Sequence, residues 1–200
     1  MKLLDRIHGS RVFPRRVHRL KKLLADAIPP GATVLDVGCG DGSLAALLLE
    51  QRPDLTITGL EVLNRPTTHI PVRLFDGMTI PFADRSFDLV MFVDVLHHTG
   101  DPMVLLREAA RVARLGLVIK DHIAKGILAK TRLRFMDYVG NARHGVSLPY
   151  NYWTERQWHA AQDELRLKPA VLIHDLGLYP QPADAVFGAN LHFVGRFEAA

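Results

Sequence analysis

An open α/β fold, with a doubly wound and mostly parallel seven-stranded sheet in one domain, is what three features of the sequence predict. Apolar runs of strand length alternate with amphipathic runs of helix length. The first apolar run ends in a glycine-rich turn and leads directly into a helical pattern, as a parallel strand and its crossover helix do. The last segment, NLHFVGRFEAA, alternates apolar and polar residues like an antiparallel edge strand.

Taken in order, Val17, Leu20, Leu23, Leu24 and Ala27 recur at helical spacing, and Pro29, Pro30 and Gly31 stop that helix. ATVLDVG reads as a buried strand, CGDG as the turn and SLAALLLEQR as the crossover helix. LTITGLE is a second strand, VRLFDG a short third, SFDLVMFVDVL a fourth with a helix from about Asp101 to Ala113, and LGLVIKD a fifth. Only about ten residues link the second strand to the third, and Pro66 and Pro71 favour an extended path there, so one crossover helix is expected to be missing. Ala113-Arg114-Leu115-Gly116 leaves the start of the fifth strand open. Residues 122–153 read as a lid-like insertion, with a helix around Gly126 to Val139 and then the irregular stretch GNARHGVSLPYNYW. TERQWHAAQDELR returns to helix, with Trp158 and Ala161 at core spacing, and PAVLIHD is a further strand. The expected organisation is a basic N-terminal helical segment (1–30), a ligand-binding core (31–121), the insertion (122–153), and a C-terminal helix and strands (154–200).

The composition, 48% hydrophobic and 23% charged over 200 residues, is that of one folded domain rather than a disordered chain. A single cysteine, Cys39, excludes an internal disulfide and a cysteine-type metal site, and no metal is expected. No apolar run is long enough to span a bilayer, and the first residues lack a cleavable leader pattern; the expected location is the cytoplasm. Eight of the 25 Lys and Arg residues fall between Lys2 and Lys22, which suits either a solvated helix face or contact with phosphates or an anionic membrane surface.

The turn Asp36-Val37-Gly38-Cys39-Gly40-Asp41-Gly42 lets a ligand approach the backbone, because Gly38 and Gly40 carry no side chain to obstruct it. Ligands of open α/β sheets lie at the carboxyl ends of strands, and the second such end carries Glu61, 21 positions after Gly40, where an acid can accept bonds from both ribose hydroxyls. A dinucleotide dehydrogenase would need a third glycine where Ser43 stands, and Asp36 suits a cationic amine while opposing a pyrophosphate. The ligand so described has an amine, a ribose and no phosphate.

In VLDVGCGDGSLA, the acid of GLEV, FDGMTIPFADRSFDLVMFVDVLHH and LLREAARVAR, spaced over residues 31–121, the chain resembles the class I S-adenosylmethionine-dependent methyltransferases, in particular the small-molecule, type 11-like group. The resemblance implies a Rossmann-like sheet, S-adenosyl-L-methionine as cofactor and a small-molecule acceptor. It places Gly38, Cys39 and Gly40 under the methionine part, Asp36 near its amine, Glu61 on the ribose, Asp76 on the adenine amine, Gly77 and Met78 along the adenine ring, and Asp94 beside the methionine moiety.

Methyl transfer from a sulfonium mainly requires alignment of the acceptor and, where needed, removal of its proton. His97 and His98 follow the fourth strand, where the methyl should point, and an imidazole titrates near neutrality; their alternative is structural, bonding a backbone carbonyl. Asp121 and His122 at the end of the fifth strand are further candidates, with helix capping as the alternative. His144, Tyr150, Asn151 and Tyr152, set among turn formers, are expected to shape the acceptor pocket, unless that loop merely packs aromatics onto the sheet edge.

An amino-methyltransferase of nucleic-acid bases would carry Pro-Pro and an aromatic at the fourth strand end, where this chain has Asp94-Val95-Leu96-His97. Cytosine C5 chemistry would need a nucleophilic cysteine away from the cofactor turn. An RNA-directed methyltransferase and a noncatalytic cofactor-binding scaffold remain as alternatives.

Overall fold

The computed structural model describes residues 13–141, 149–188 and 191–199. Its elements are α1 (Phe13–Ala27), β1 (Thr33–Val37), α2 (Ser43–Gln51), β2 (Thr56–Glu61), β3 (Val72–Leu74), β4 (Phe87–Val93), a 3-10 turn (Leu96–His98), α3 (Pro102–Val112), β5 (Ala113–His122), α4 (Ala129–Asn141), α5 (Glu155–Glu164), β6 (Leu167–Ile173), α6 (Ala183–Phe187) and β7 (His192–Ala199). The seven strands form one sheet in the order β3-β2-β1-β4-β5-β7-β6. Pairings from β3 to β5 are parallel, and β7 runs antiparallel to both β5 and β6. This is the doubly wound sheet with an antiparallel last strand that the sequence predicts.

Alternation along each strand divides the apolar side chains between two layers. Leu35, Val37, Leu60, Val90, Phe92, Leu117 and Ile119 face α3 and α5, where Leu105, Leu106, Ala109, Trp158 and Ala161 meet them. Val34, Ile57, Leu89, Met91, Val118 and Val194 face α1 and α2 through Leu20, Leu24, Ala45 and Leu48. Asp101 caps α3 by accepting from Met103 N, with Pro102 at the first helical position, and Thr154 and Gln157 form a capping box on α5. Trp158 is held by burial and by the bond from its Nε1 to His122 O, 3.0 Å.

The link from β2 to β3 contains no helix, and its buried Ile70 joins the α1/α2 layer instead. A Cβ on Gly42 or Gly59 would meet the Ile70 side chain at 2.5 and 3.2 Å, so this one isoleucine fills space beside the glycine-rich turn. Two element bounds differ from expectation. β5 begins at Ala113, directly after α3, because the turn residues Ala113 to Gly116 already pair with β4 and β7. The helix of the insertion begins at Ala129 rather than Gly126, whose φ of +91° is not helical. The short α6 has no counterpart in the sequence reading.

The described arginines of the basic segment bind their own chain. Arg19 Nε donates to Leu176 O at 3.2 Å, Arg15 Nε to Gly177 O at 3.3 Å, and Arg16 pairs with Asp94. These three are therefore engaged in tertiary contacts, unlike a wholly solvated helix face; Lys2, Arg6 and Arg11 lie outside the described residues. No described helix is long and apolar enough to cross a membrane.

Candidate active site

The carboxyl ends of β1, β2, β4 and β5 converge on two adjoining groups of polar residues. In the first, the turn after β1 is fastened to the end of β2. Gly38 N and Cys39 N both donate to Leu60 O, at 2.8 and 3.1 Å, and Gly40 N donates to Glu61 Oε2 at 2.8 Å. Glu61 is 5% exposed, and its Oε1 accepts from Val62 N and Leu63 N. The two glycines serve different purposes. A Cβ on Gly38 would lie 2.6 Å from Val95 Cγ2, so the missing side chain makes room for β4's continuation. A Cβ on Gly40, at φ +61°, would point into space where, among the described residues, no atom beyond its chain neighbours lies within 4 Å. That is an open cradle beside a carboxylate.

Asp36 is buried next to this turn, and burial together with the Glu61 charge pushes its carboxyl up to about 7. The Cys39 thiol is pushed up to about 12 by burial and by Asp36 and Glu61, so it stays protonated and is no nucleophile. Beyond β3, Asp76 Oδ1 accepts from Met78 N and Thr79 N at 2.8 and 2.7 Å, and these backbone bonds hold its carboxyl below the usual range. Gly77 adjoins Val62, and Met78 is 60% exposed, which leaves that side chain accessible at the edge of the cradle.

The second group lies at the ends of β4 and β5. His97 Nδ1 and Asp121 Oδ1 are 2.6 Å apart, and Asp121 also accepts from Leu96 N and His122 N. Burial works against a charged His97, but Asp121 outweighs it and pushes the imidazole up to about 9. His122 contacts Asp121 Oδ1 at 3.1 Å and His97 Nδ1 at 3.3 Å; burial and the His97 charge push it down to about 4. His98 is shallower and is lowered by burial and by His97, which keeps it neutral at pH 7. Asp94, in the left-handed region at φ +58°, is gripped by Lys120 and Arg16. Burial opposes its charge, yet those two cations hold it well below the usual carboxylate range. Lys120 is itself fully buried.

Asp137, Asn151 and Tyr152 are joined to this group and its neighbours by specific contacts. Asn151 N donates to His97 O, and Asn151 Nδ2 donates to Thr99 O and Gly100 O. The Tyr152 hydroxyl donates to Asp137 Oδ2 at 2.8 Å while its ring stacks 5.5 Å from that of His97. Tyr150, half-buried, receives the Arg134 guanidinium over its ring at 5.6 Å. His144 lies outside the described residues. Thus the structure brings Asp36, Gly38, Cys39, Gly40 and Glu61 together in one group, and His97, His98, Asp121, His122 and Tyr152 in the other. Asp94 stands at the end of β4 as expected, next to Val95 which packs against Gly38, and is tied to the second group through ion pairs that no sequence spacing announces.

Three residues of this arrangement have no site role in the sequence analysis: Arg16, Lys120 and Asp137. The last two have a signal. Lys120 interrupts an apolar strand, and Asp137 falls on the inner stripe of α4 with Ala129 and Leu133, at a spacing of four residues each.

The chain belongs to the class I S-adenosylmethionine-dependent methyltransferases: a methyltransferase domain family matches residues 8–164. It is 30% identical over 140 residues to 2-methyl-6-phytyl-1,4-hydroquinone methyltransferase of Synechocystis sp., covering 64% of this chain and 38% of that protein. It is 32% identical over 113 residues to 27-O-demethylrifamycin SV methyltransferase of Amycolatopsis mediterranei, covering 49% and 41%. The chain thus spans about two fifths of the length of these relatives. Among solved structures, a SAM-dependent methyltransferase from Aquifex aeolicus shares the fold with a TM-score of 0.62 at 16% identity, over 100% of this chain and 96% of that one.

Proposed function

We propose that this protein transfers a methyl group from S-adenosylmethionine to a small-molecule acceptor. The observation that carries this reading is the open cradle at Gly40, flanked by the buried acids Asp36 and Glu61: it has room for a ligand and two carboxylates for an amine and a ribose. The family and the small-molecule acceptors in the relatives' names support it. When bound, the cofactor supplies a methyl on a positively charged sulfur, already reactive, so the chain's task is placement. Gly38, Cys39 and Gly40 line the methionine part, Asp36 pairs with the ammonium, and Glu61 exchanges backbone donors for ribose hydroxyls. Asp76, Gly77 and Met78 border the adenine. Asp94 acts through its ion pair, holding Lys120 and Arg16 at the strand ends beside the methionine moiety.

The acceptor lies at the ends of β4 and β5, beneath residues 122–153 acting as a lid. Tyr150, Asn151 and Tyr152 anchor that lid and shape the pocket. Asp121, His122 and His97 are all buried, with Asp121 orienting His97, so His98, the shallowest of the cluster, is the group best placed to address the acceptor.

Glu61→Ala is expected to weaken S-adenosylmethionine binding by about 1–3 kcal/mol, the range for a hydrogen bond to a charged group. Calorimetric titration reads this directly, and an unchanged affinity removes Glu61 from the site.

Asp36 gives a pH signature. Its free-state carboxyl titrates at about 7, and an ammonium partner favours the charged form, so below that pH binding must release a proton. Affinity is therefore expected to rise with pH up to about 7 and then level off. Titrations in buffers of different ionisation heat should detect the proton, and Asp36→Asn should flatten the profile; proton release that persists in this variant would assign it to another group.

A further inference from the structure

We infer that His97 Nε2, His98 Nε2 and Asp137 Oδ1 form a binding site for a divalent transition-metal ion of the zinc type. The three ligand atoms lie within 4.8 Å of one another. Asp137 Oδ1 is 3.7 Å from Nε2 of His97 and 3.7 Å from Nε2 of His98. That is too long for a hydrogen bond. It is close to the separation of about 3.4 Å between two ligands that each sit about 2.1 Å from one tetrahedral ion.

An independent observation points to the same place. His97 Nε2 is buried and has no hydrogen-bond partner, in a residue only 3% exposed. Buried polar atoms are rarely left so. An ion bound there would satisfy it.

The surroundings are those that orient metal ligands. Nδ1 of His97 is committed to the Asp121 carboxylate at 2.6 Å, which aims Nε2 at the proposed ion and raises its basicity. Oδ2 of Asp137 accepts from the Tyr152 hydroxyl at 2.8 Å, which turns Oδ1 toward the two imidazoles. Two imidazoles and one carboxylate suit zinc, iron or nickel better than calcium or magnesium, which favour all-oxygen sets. His98, with 14% of its side chain exposed, lies on the route by which an ion would enter.

A second set of potential ligands, Asp94, His97 and His122, also clusters. There Asp94 is already bonded to the Lys120 ammonium, and Asp121 Oδ1 engages Nδ1 of both histidines, so that set serves internal ion pairs. Three protein ligands leave at least one position on the ion for another group. On the proposed methyl-transfer reading, and only on it, that position faces the acceptor and favours one bearing a hydroxyl, whose proton an adjacent cation makes easier to lose.

Chelator-treated, tag-free protein titrated with zinc chloride in a calorimeter, and with cobalt chloride by visible absorption, tests the site. One ion per chain is expected, with cobalt bands of a nitrogen and oxygen environment. His98→Gln and Asp137→Asn should each weaken binding by about 100-fold, and Asp121→Asn by about 10- to 100-fold. His159→Gln, at an exposed position of α5 outside both polar groups, should stay within about threefold. Circular dichroism identifies variants that fail to fold. His98→Gln, at the shallow edge of the cluster, carries the decision if the buried variants do so. Absence of zinc binding by the wild-type chain, or equal binding by His98→Gln, overturns the inference. S-adenosylmethionine titrations of the same samples separate the two readings: cofactor binding without zinc binding leaves methyl transfer standing and removes the ion.

Discussion

Replacing Gly40 with valine is expected to lower S-adenosylmethionine affinity by at least about 100-fold while leaving a folded protein. Among the described residues a Cβ on Gly40 meets nothing within 4 Å beyond its chain neighbours, so on the proposed reading the valine side chain takes the ligand's place. The φ of +61° adds a backbone cost of about 1–2 kcal/mol for a residue with a Cβ, which a domain of this size tolerates. Gly38→Ala is the informative companion. Its Cβ would strike Val95 at 2.6 Å, so that substitution should depress the melting temperature as well as binding. Calorimetry with thermal melts distinguishes the two, and a Gly40→Val protein that keeps its affinity within a few-fold would mean the cofactor lies elsewhere.

Asp94→Ala is expected to cost about 3–5 kcal/mol of stability, as when one partner of a buried ion pair is removed. Lys120 would then hold its ammonium in a site with no exposure to water, close to the Arg16 guanidinium and without the carboxylate that now answers both. Burial already lowers the Lys120 pKa, and Asp94 is what counters it. Adding Lys120→Met should recover most of the loss, because an apolar chain of similar length needs no counter-charge. Urea melts of the two single variants and the double variant measure the coupling. Strict additivity would show that Asp94 and Lys120 do not act as a pair.

The strands and the glycine-rich turn were readable because their signals are local. Val34, Leu35 and Val37 form an apolar run interrupted only by Asp36, Gly38 and Gly40 follow, and Pro66 and Pro71 mark the link that lacks a helix. The second polar group was only half readable. His97, His98, Asp121 and His122 stand at strand ends, where periodicity directs attention. Asp137 is far along the chain, inside an amphipathic helix, and becomes a neighbour of His97 only when the insertion folds back. The pairing of Arg16 with Asp94 spans 78 positions, and no spacing rule reaches that far. The same distance explains why the basic N-terminal stretch resembled a solvated face: charge density is visible in sequence, and the partner that absorbs it is not.

The seating of α1 carries a consequence for how the chain is made. This helix leaves the ribosome well before several of its partners, since Leu20 and Leu24 share their core with Leu176, Leu178 and Val194, and Arg19 bonds to Leu176 O. At about 5–20 residues per second, the intervening 150 or so residues take on the order of ten seconds to synthesise. For that interval the apolar stripe of α1 has only part of its cover, from Val34, Ala45 and Leu48. Nascent chains should therefore offer a chaperone-binding segment at α1, one that is fully covered only when the antiparallel end of the sheet is laid down.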